Sequence, residues 1–166
     1  MAITLTDLAK TCGTINARGI QMKLYLAFKS DVATIPAASA HVVSTAITMQ
    51  SGKTFVEVEI SKNDKSYESK PEGNEDGSIY KTLIKGFHPN LRAAATAVLA
   101  GATNGCEVIC ISGDLNGNYR IIGNLTEGGA TLRASEINDN NKNGYELEIE
   151  WESALPGLFY TATIPS

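Results

Sequence analysis

The sequence predicts a mainly β fold, an antiparallel β-sandwich or barrel with one flanking α-helix at about residues 90–100. Short runs rich in Val, Ile, Thr, Tyr and Phe recur along all 166 residues, and Gly (15) far outnumbers Pro (5), which is typical of many turns between strands. Only one segment has helical periodicity. Because 43% of the residues are hydrophobic, the chain can bury a sizeable core, and we expect one domain over residues 1–166.

The N-terminal half begins with residues 1–17, which we interpret as an N-terminal arm. Within it, residues 4–13 could form a short helix that ends at Gly13, or a loose arm. Residues 18–28 then alternate, with Ile20, Met22, Leu24, Leu26 and Phe28 on one face, as in a half-buried strand. Residues 41–50 and 53–60 flank Ser51-Gly52, a turn pair that predicts a hairpin between them.

The segment 61–77 is polar, charged and almost free of aliphatic residues. We expect a long polar loop, within which residues 67–70 could form a strand. Connections of this length in compact domains are usually functional or partly disordered. One interpretation of this composition is a solvated loop.

The C-terminal half is predicted to contain the helix and most of the remaining strands. After a strand at 78–87, Pro89-Asn90 opens the helix, whose apolar stripe is Leu91, Ala94/Ala95 and Val98 and whose stop is Gly101. Strands at 106–112 and 119–123 are joined by an Asn-Gly turn, strands at 130–137 and 144–151 by an Asn-rich turn, and a last strand covers about 158–164.

Composition and charge exclude several classes of function. The net charge of −4 and pI near 5.2 argue against a protein that grips nucleic acid by neutralising phosphates. No apolar run approaches the length of a membrane span, and the first residues lack the pattern of a secretory signal. Three cysteines without such a signal favour reduced thiols, and we interpret Cys106 and Cys110 as small buried hydrophobes.

Catalytic and metal-binding patterns are missing from the sequence. His41 and His88 are the only histidines, and neither lies in a recognisable nucleophile or metal motif. The run Asp139–Gly144 followed by Glu150 spells a calcium loop, but residues 145–151 alternate as a strand, so Glu150 cannot close an EF-hand cage. Calcium held by the turn 139–143 alone remains an alternative. We therefore expect no enzyme activity, no cofactor and no metal.

The most informative feature is a glutamate ladder in residues 145–152. Tyr145, Leu147, Ile149 and Trp151 are predicted to pack inward, which leaves four glutamates on the other face: Glu146, Glu148, Glu150 and Glu152. Like charges in a row cost stability, so the ladder is a solvated sheet face, a surface kept acidic to repel a polyanion, or, least supported, a pair of catalytic carboxylates. Glu57 and Glu59 alternate in the same way on another strand and could extend that face.

The order of elements resembles the tail tube proteins of long-tailed bacteriophages, which are similar in fold to type VI secretion tube proteins. The resemblance rests on the long first strand, the hairpin, the long polar segment, the single helix and the C-terminal hairpins that end in Gly157-Leu158-Phe159-Tyr160. The stretches 116–123 and 144–147 also resemble predicted phage structural proteins from Bacteroides-type hosts. The resemblance carries no catalytic motif.

This resemblance implies a structural virion protein that assembles with itself into closed rings, commonly sixfold, which stack into a tube that conducts DNA. Its partners would be further copies and other tail proteins, with DNA passing transiently, and its location would be the virion tail, after assembly in the host cytoplasm. The polar segment would be the stacking arm, with these residues in contact across rings: Lys62, Asp64, Lys65, Tyr67, Glu68 and Lys70. The channel face would be supplied by some of these acidic residues: Glu57, Glu59, Glu146, Glu148 and Glu150.

Three other classes of function remain open from the sequence alone. A related virion part, such as a tail terminator, a neck protein or a head decoration protein, shares the expected architecture. A monomeric β-sandwich that binds a ligand, such as a glycan or calcium, would need exposed aromatic residues beside a groove. An enzyme is the least supported class, because histidines are few and no nucleophile motif is present.

Overall fold

A computed structural model describes residues 19–74 and 77–166 of the chain. The fold over these residues is mainly β, with a large sheet and one α-helix, so the predicted fold class is confirmed. The expected N-terminal arm, residues 1–17, lies outside the described residues. Among the described residues, no helix has both the length and the apolar character needed to cross a membrane.

The described elements follow one another in a simple order along the chain. The strands are β1 (Ile20–Phe28), β2 (Val32–Thr34), β3 (Val42–Val43), β4 (Thr48–Met49), β5 (Val56–Glu59), β6 (Lys65–Asn74), β7 (Gly77–Pro89), β8 (Glu107–Asp114), β9 (Tyr119–Ile122), β10 (Ala130–Asn138), β11 (Asn143–Ser153) and β12 (Leu158–Tyr160). The helix α1 (Ala93–Thr103) lies between β7 and β8.

The large sheet branches at β8. One side of β8 pairs with β1, which in turn pairs with β5; the other side pairs with β10 at its beginning and with β9 further along. From β10 the sheet continues through β11 and β7 to β6, and from β9 through β12 to β3. All pairs are antiparallel except β12 with β3, while β2 and β4 form a separate two-stranded sheet.

Strands β1 and β7, which β8, β10 and β11 separate in the order of paired strands, approach each other, so the sheet curves into a barrel-like layer. The Ile60 amide donates to the Met22 carbonyl at 2.8 Å, and the next amide, that of Ser61, donates to the Phe87 carbonyl at 2.7 Å. Residues 60–61 therefore bridge β1 and β7. This closure removes part of the exposed strand edge that an open sheet would present.

The core is divided into two clusters because β8 is buried on both faces. Val108 and Cys110 pack into the first cluster, inside the curved sheet, where the α1 residues Leu99 and Ala102 also lie. Ile109 and Ile111 point to the second cluster. A strand buried on both faces reads as a continuous apolar run rather than an alternation, and residues 108–111 have that pattern.

Both predicted C-terminal hairpins are confirmed. β8 and β9 pair around the turn 114–118, where the Asp114 carboxylate accepts hydrogen bonds from the Asn116 and Asn118 amides at 2.8 and 2.9 Å. β10 and β11 pair from Thr131 opposite Glu150 to Asn138 opposite Asn143. These hairpins were predictable because their turns are specified by local Asx and Gly chemistry.

The predicted hairpin of residues 41–50 and 53–60 is wrong. A turn does form at Ser51-Gly52, but β4 pairs with β2 and β5 pairs with β1. The reason is tertiary: Phe55 is buried in the second cluster, and its amide donates to the Pro165 carbonyl at 3.0 Å. The C-terminal residues thus occupy the place where a hairpin partner would lie.

The prediction of a long loop at 61–77 is also corrected, because Lys65–Asn74 is strand β6. It pairs with β7 along its whole length, from Lys65 opposite Gly86 to Asn74 opposite Gly77. The composition is unfavourable for a strand, with Pro71, Gly73 and many charges. Pairing with β7 supplies the backbone hydrogen bonds that override this weak intrinsic preference.

The predicted helix is present, but it begins and ends about three residues later than predicted. It begins at Ala93, continues through Gly101 and ends at Thr103, before Gly105 adopts a left-handed φ of 84°. The buried residues are Leu99 and Ala102, so the predicted stripe through Val98 is wrong by one position. An alanine-rich helix has apolar side chains on every face, so its sequence did not specify which face would be buried.

Candidate assembly surface

The hairpin β6–β7 is exposed at its tip, where residues 70–74 and 77–79 are all exposed. The pairing of β11 with β7 ends at Tyr80, which lies opposite Ser153. The three β6–β7 residue pairs between Tyr80 and the hairpin turn therefore extend beyond the sheet by about 10 Å. The outer edge of β6 has no strand partner among the described residues. A strand edge without a strand partner is a template for pairing with another chain, although Lys65, Lys70 and Pro71 are residue types that protect such edges.

The residues that precede and begin β6 are held by intramolecular contacts. The Asp64 carboxylate lies 3.2 Å from the Lys142 ammonium, and the Lys65 ammonium donates to the Ile20 carbonyl. Burial, reinforced by nearby Lys62, lowers the pKa of Lys65. Lys65 therefore helps to hold β6 against β1, and Asp64 contacts the turn between β10 and β11, whereas Lys62 is exposed.

The Tyr67 side chain is turned inward rather than outward. Its ring packs against the first core cluster, and the Arg120 guanidinium lies 5.8 Å from the ring centroid. Tyr67 thus does not have the exposed position that an anchor between rings would require, because alternation along β6 directs it to the same side as buried Ile84 of β7.

Glu68 and Lys70 lie on the exposed side of β6 and pair with each other at 2.6 Å. The hydrogen bond from Lys70 to Glu68 raises the pKa of the Lys70 ammonium. Both side chains are more than half exposed, so this pair contributes little to folding and can be exchanged for contacts with another molecule.

The residues that alternate with the ladder glutamates are buried, as predicted. Tyr145, Leu147, Ile149 and Trp151 are all buried, so the glutamates between them point outward. Cross-strand register decides what surrounds these glutamates, because β11 lies between β7 and β10.

The outward face of the ladder is not uniformly acidic. Lys81 lies 2.9 Å from Glu150, which raises the pKa of the Lys81 ammonium, and Lys85 lies 4.0 Å from Glu148. Glu146 lies 3.8 Å from Lys142. Arg133 of β10 lies directly opposite Glu148 in the register. The sheet therefore presents interleaved charges of both signs, and the like-charge cost expected from the sequence is offset by neighbouring strands.

The other two candidate channel residues lie on β5, which does not pair with β11. Along the paired strands β1, β8 and β10 separate β5 from β11, whereas at the barrel closure the end of β5 meets β7 through the Glu59 carbonyl and His88. Glu57 is 2.7 Å from Lys23 of β1, and this hydrogen bond raises the pKa of the lysine. The five acidic residues predicted to form one face thus form two groups, each with cations beside it.

Potential catalytic and metal-binding groups have structural roles in the described chain. The His88 Nδ1–H donates to the Glu59 carbonyl at 2.7 Å, and burial raises the pKa of the Cys110 thiol. Cys106 is exposed, which corrects its prediction as a buried hydrophobe. No group of three His, Cys, Asp or Glu side chains in the described ranges is placed to hold a metal ion.

The calcium alternative at residues 139–143 is disfavoured by the local contacts. One Asp139 carboxylate oxygen accepts hydrogen bonds from the Asn141 and Lys142 amides, both at 2.7 Å, which holds the pKa of this carboxyl below its usual range. The Lys142 ammonium lies nearby and pairs with Asp64 and Glu146. The positive charge of Lys142 also acts on Asp139, so it opposes binding of a second cation at this carboxylate.

A polar cavity of about 250 Å³ lies where β1, β6, β8 and β9 meet. The Tyr67 and Ser112 hydroxyls at its wall are buried and have no hydrogen-bonding partner among the described residues. Arg120 is fixed above them, since it donates to the Gly157 carbonyl at 3.2 Å and its guanidinium stacks 4.1 Å from the centre of the Phe159 ring. These residues are far apart in sequence, so no local pattern predicted the cavity.

An apolar groove of about 280 Å³ between β5 and α1 was also missed by the sequence reasoning. Val56 on β5 and Val98 on α1 are 47% and 48% exposed beside it. One signal was available: residues 93–103 contain no charged side chain, which is unusual for a helix with one face toward solvent.

No protein family model, curated protein or solved structure matches this chain.

Proposed function

We propose that this chain is a structural subunit of a bacteriophage tail tube, which assembles with copies of itself into stacked rings around a DNA-conducting channel. The observation that carries the proposal is the hairpin β6–β7, whose tip extends beyond the sheet and whose strand β6 has no second strand partner among the described residues. Two-stranded hairpins are marginally stable alone, and a free edge is satisfied most simply by another strand. A neighbouring copy in a ring or stack supplies both contacts.

The charges on the outward sheet face are compatible with a DNA-conducting wall in a modified form. A bare acidic wall would repel phosphates, whereas a surface of interleaved charges does not bind them tightly because each lysine is already paired with a glutamate. In this proposal the ladder prevents DNA from binding by local charge neutrality rather than by net repulsion.

The subunit would be located in the virion tail, with other tail proteins as further partners.

The decisive experiment compares the assembly of the native chain with that of a chain shortened at the hairpin tip. Replacing residues 72–79 by Asn-Gly keeps the pair Pro71–Tyr80 and removes only the projecting part. We expect rings or tubes of the native chain in negative-stain micrographs and at most isolated rings or single subunits of the shortened chain. Asn140→Ala, in the exposed turn between β10 and β11, is the matched control and should assemble normally.

A native chain that remains a single, well-ordered molecule at millimolar concentration would contradict the proposal. Rings that never stack, in the native chain as in the shortened one, would favour a terminator, neck or decoration protein. Circular dichroism of the shortened chain should match that of the native chain, which separates an assembly defect from unfolding.

A second candidate, a monomeric ligand-binding module, is favoured by the polar cavity beside Arg120. Two buried hydroxyls and one fixed guanidinium are the kind of convergent polar groups found in small-molecule sites. Saturable binding of a small polar compound by a chain that does not assemble, lost in Ser112→Ala, would support this candidate over a tube subunit.

A further inference from the structure

The groove between β5 and α1 has a largely apolar lining that is partly open to solvent. Its apolar lining residues are Val56, Val58, Ala94, Ala95, Val98 and Leu99. Val56 on β5 and Val98 on α1 are each nearly half exposed. Two exposed valines beside one groove form a small apolar surface, and α1 carries no charged side chain that would oppose contact with another apolar group.

The other lining residues of the groove are Glu57, His88 and Arg92. The Glu57 carboxylate is paired with Lys23 of β1 at 2.7 Å. The His88 ring is bonded to the Glu59 carbonyl. The Arg92 side chain, in contrast, is exposed and forms no ion pair among the residues that the structure describes. The groove therefore offers an apolar surface beside an available positive charge.

The tip of the hairpin β6–β7 carries the complementary groups. Ile79 is 42% exposed, and Glu72 lies directly opposite it in the register. Side chains of directly opposite residues share one face of an antiparallel pair, so an apolar group and a carboxylate stand side by side. Glu72 is exposed and has no ion pair within the described ranges. The nearest lysines along the two strands, Lys70 and Lys81, are already paired with glutamates.

The tip and the groove lie at opposite ends of β7. Ile79 is near the beginning of this strand and His88, which lines the groove, is near its end. At about 3.3 Å per residue they are about 30 Å apart, so the tip cannot enter the groove of its own chain. A second copy can supply it. A contact between two different surfaces at opposite ends of the molecule repeats head to tail, as stacking requires.

We propose that the β6–β7 tip of one copy docks in the groove between β5 and α1 of the next copy. Ile79 then packs against Val56 and Val98, and Glu72 lies beside Arg92. Docking removes the exposed parts of three apolar side chains from water and gives the two unpaired charges each other as partners. The inference rests on the proposed assembly into stacked rings, to which it adds the surface that receives the tip.

Charge reversal tests the polar half of the contact. We expect Glu72→Arg and Arg92→Glu each to raise the subunit concentration at which tubes form, measured by sedimentation and negative-stain microscopy, by about tenfold or more. The double variant should return to within about threefold of the native chain. Arg92→Glu combined with Glu127→Arg has the same net charge and is the matched control, because Glu127 lies outside the tip and the groove. This control should not restore assembly.

Disulfide trapping between two chains tests the apolar half. Both chains carry Cys12→Ser and Cys106→Ser, one with Ile79→Cys and the other with Val98→Cys. We expect this mixture to form a disulfide-linked heterodimer under mild oxidation about tenfold faster than Ile79→Cys mixed with Asn140→Cys. Asn140 is exposed but does not line the groove.

Thiol labelling decides between the tip and other occupants of the groove. Val98→Cys should react quickly with iodoacetamide in dilute subunits and at least about tenfold more slowly in tubes. Slow labelling already in dilute subunits would show that the same chain covers the groove. Fast labelling in tubes would show that the groove stays open after assembly. Either result refutes the contact.

Failure of this contact and failure of the proposed function give different results. Normal tubes from Arg92→Glu, together with equal cross-linking rates in the two mixtures, would overturn the contact and leave assembly into tubes intact. A native chain that forms neither rings nor tubes would overturn both. Circular dichroism of every variant should match that of the native chain, because the substituted residues are exposed.

Discussion

The hydroxyl of Tyr145 fixes the beginning of α1, and removing it is the sharpest test of the fold. The ring is buried, and its hydroxyl accepts a hydrogen bond from the Arg92 amide at 3.2 Å and donates to the Arg92 carbonyl at 3.0 Å. The Thr96 hydroxyl lies 2.6 Å away and itself donates to Glu136 at 2.9 Å. Arg92 is the N-cap residue and makes no side-chain cap, so Tyr145 takes over the role of a cap from a neighbouring strand.

The expected magnitude follows from the groups that Tyr145→Phe leaves behind. The substitution keeps the ring and its packing, so no large cavity forms. Each lost hydrogen bond contributes about 1 kcal/mol, and an unsatisfied amide at the helix start costs about 1–3 kcal/mol. We therefore expect the free energy of unfolding to fall by about 2–3 kcal/mol. For a domain of this size, that lowers the melting temperature by roughly 5–10 °C.

Urea and thermal unfolding of Tyr145→Phe, followed by circular dichroism, measure this loss. Tyr119→Phe is the matched control, because Tyr119 is only partly buried and its hydroxyl donates a single hydrogen bond, to Gln21 at 3.1 Å. We expect the control to lose at most about 1 kcal/mol. If Tyr145→Phe unfolds with a free energy within about 0.5 kcal/mol of the native value, the hydroxyl does not cap the helix and the reasoning fails.

Three further predictions concern backbone fit, surface charge and acid. Gly144→Ala should lower the free energy of unfolding by about 3 kcal/mol or more and express poorly, because its Cβ would lie 2.2 Å from a backbone carbonyl oxygen of β7. Gly101→Ala, whose Cβ would lie in open space on α1, should be neutral or slightly stabilising in the same unfolding assay. Lys81→Gln should lose less than about 1 kcal/mol, since its pair with Glu150 is about one-third exposed; a larger loss in thermal unfolding would mean that the pair is essential. Burial opposes ionisation of Asp114, but three N–H donors in its turn outweigh burial and hold the pKa of this carboxyl below the usual range. The ionised form therefore stabilises the fold at neutral pH, and this stability is lost as the pH falls below about 4. Between about pH 6 and about pH 3, the urea midpoint of Asp114→Asn should drop less than that of the native chain. Equal drops would contradict this assignment.

Local patterns predicted the elements whose structure depends on nearby residues. The alternation of residues 145–151 correctly gave strand β11 and its buried face, and Asx-Gly turns correctly gave the two C-terminal hairpins. The loop predicted at 61–77 was wrong because β6 depends on β7 for its hydrogen bonds. The polar cavity at Ser112 and the groove at Val98 were not predicted, because each is made by elements that only folding brings together.

The amino-acid sequence by itself determined the mainly β class, the single helix, most strand positions and the outward direction of the ladder glutamates, because periodicity and turn chemistry act over a few residues. Only the tertiary structure decided that lysines of β7 lie against those glutamates, that β6 has no second strand partner among the described residues, and that β5 and α1 line one groove. The physical reason is cross-strand register. Which charges meet and which edges stay open depends on pairing between segments distant in sequence, and this pairing is set by burial of the two core clusters rather than by any local pattern.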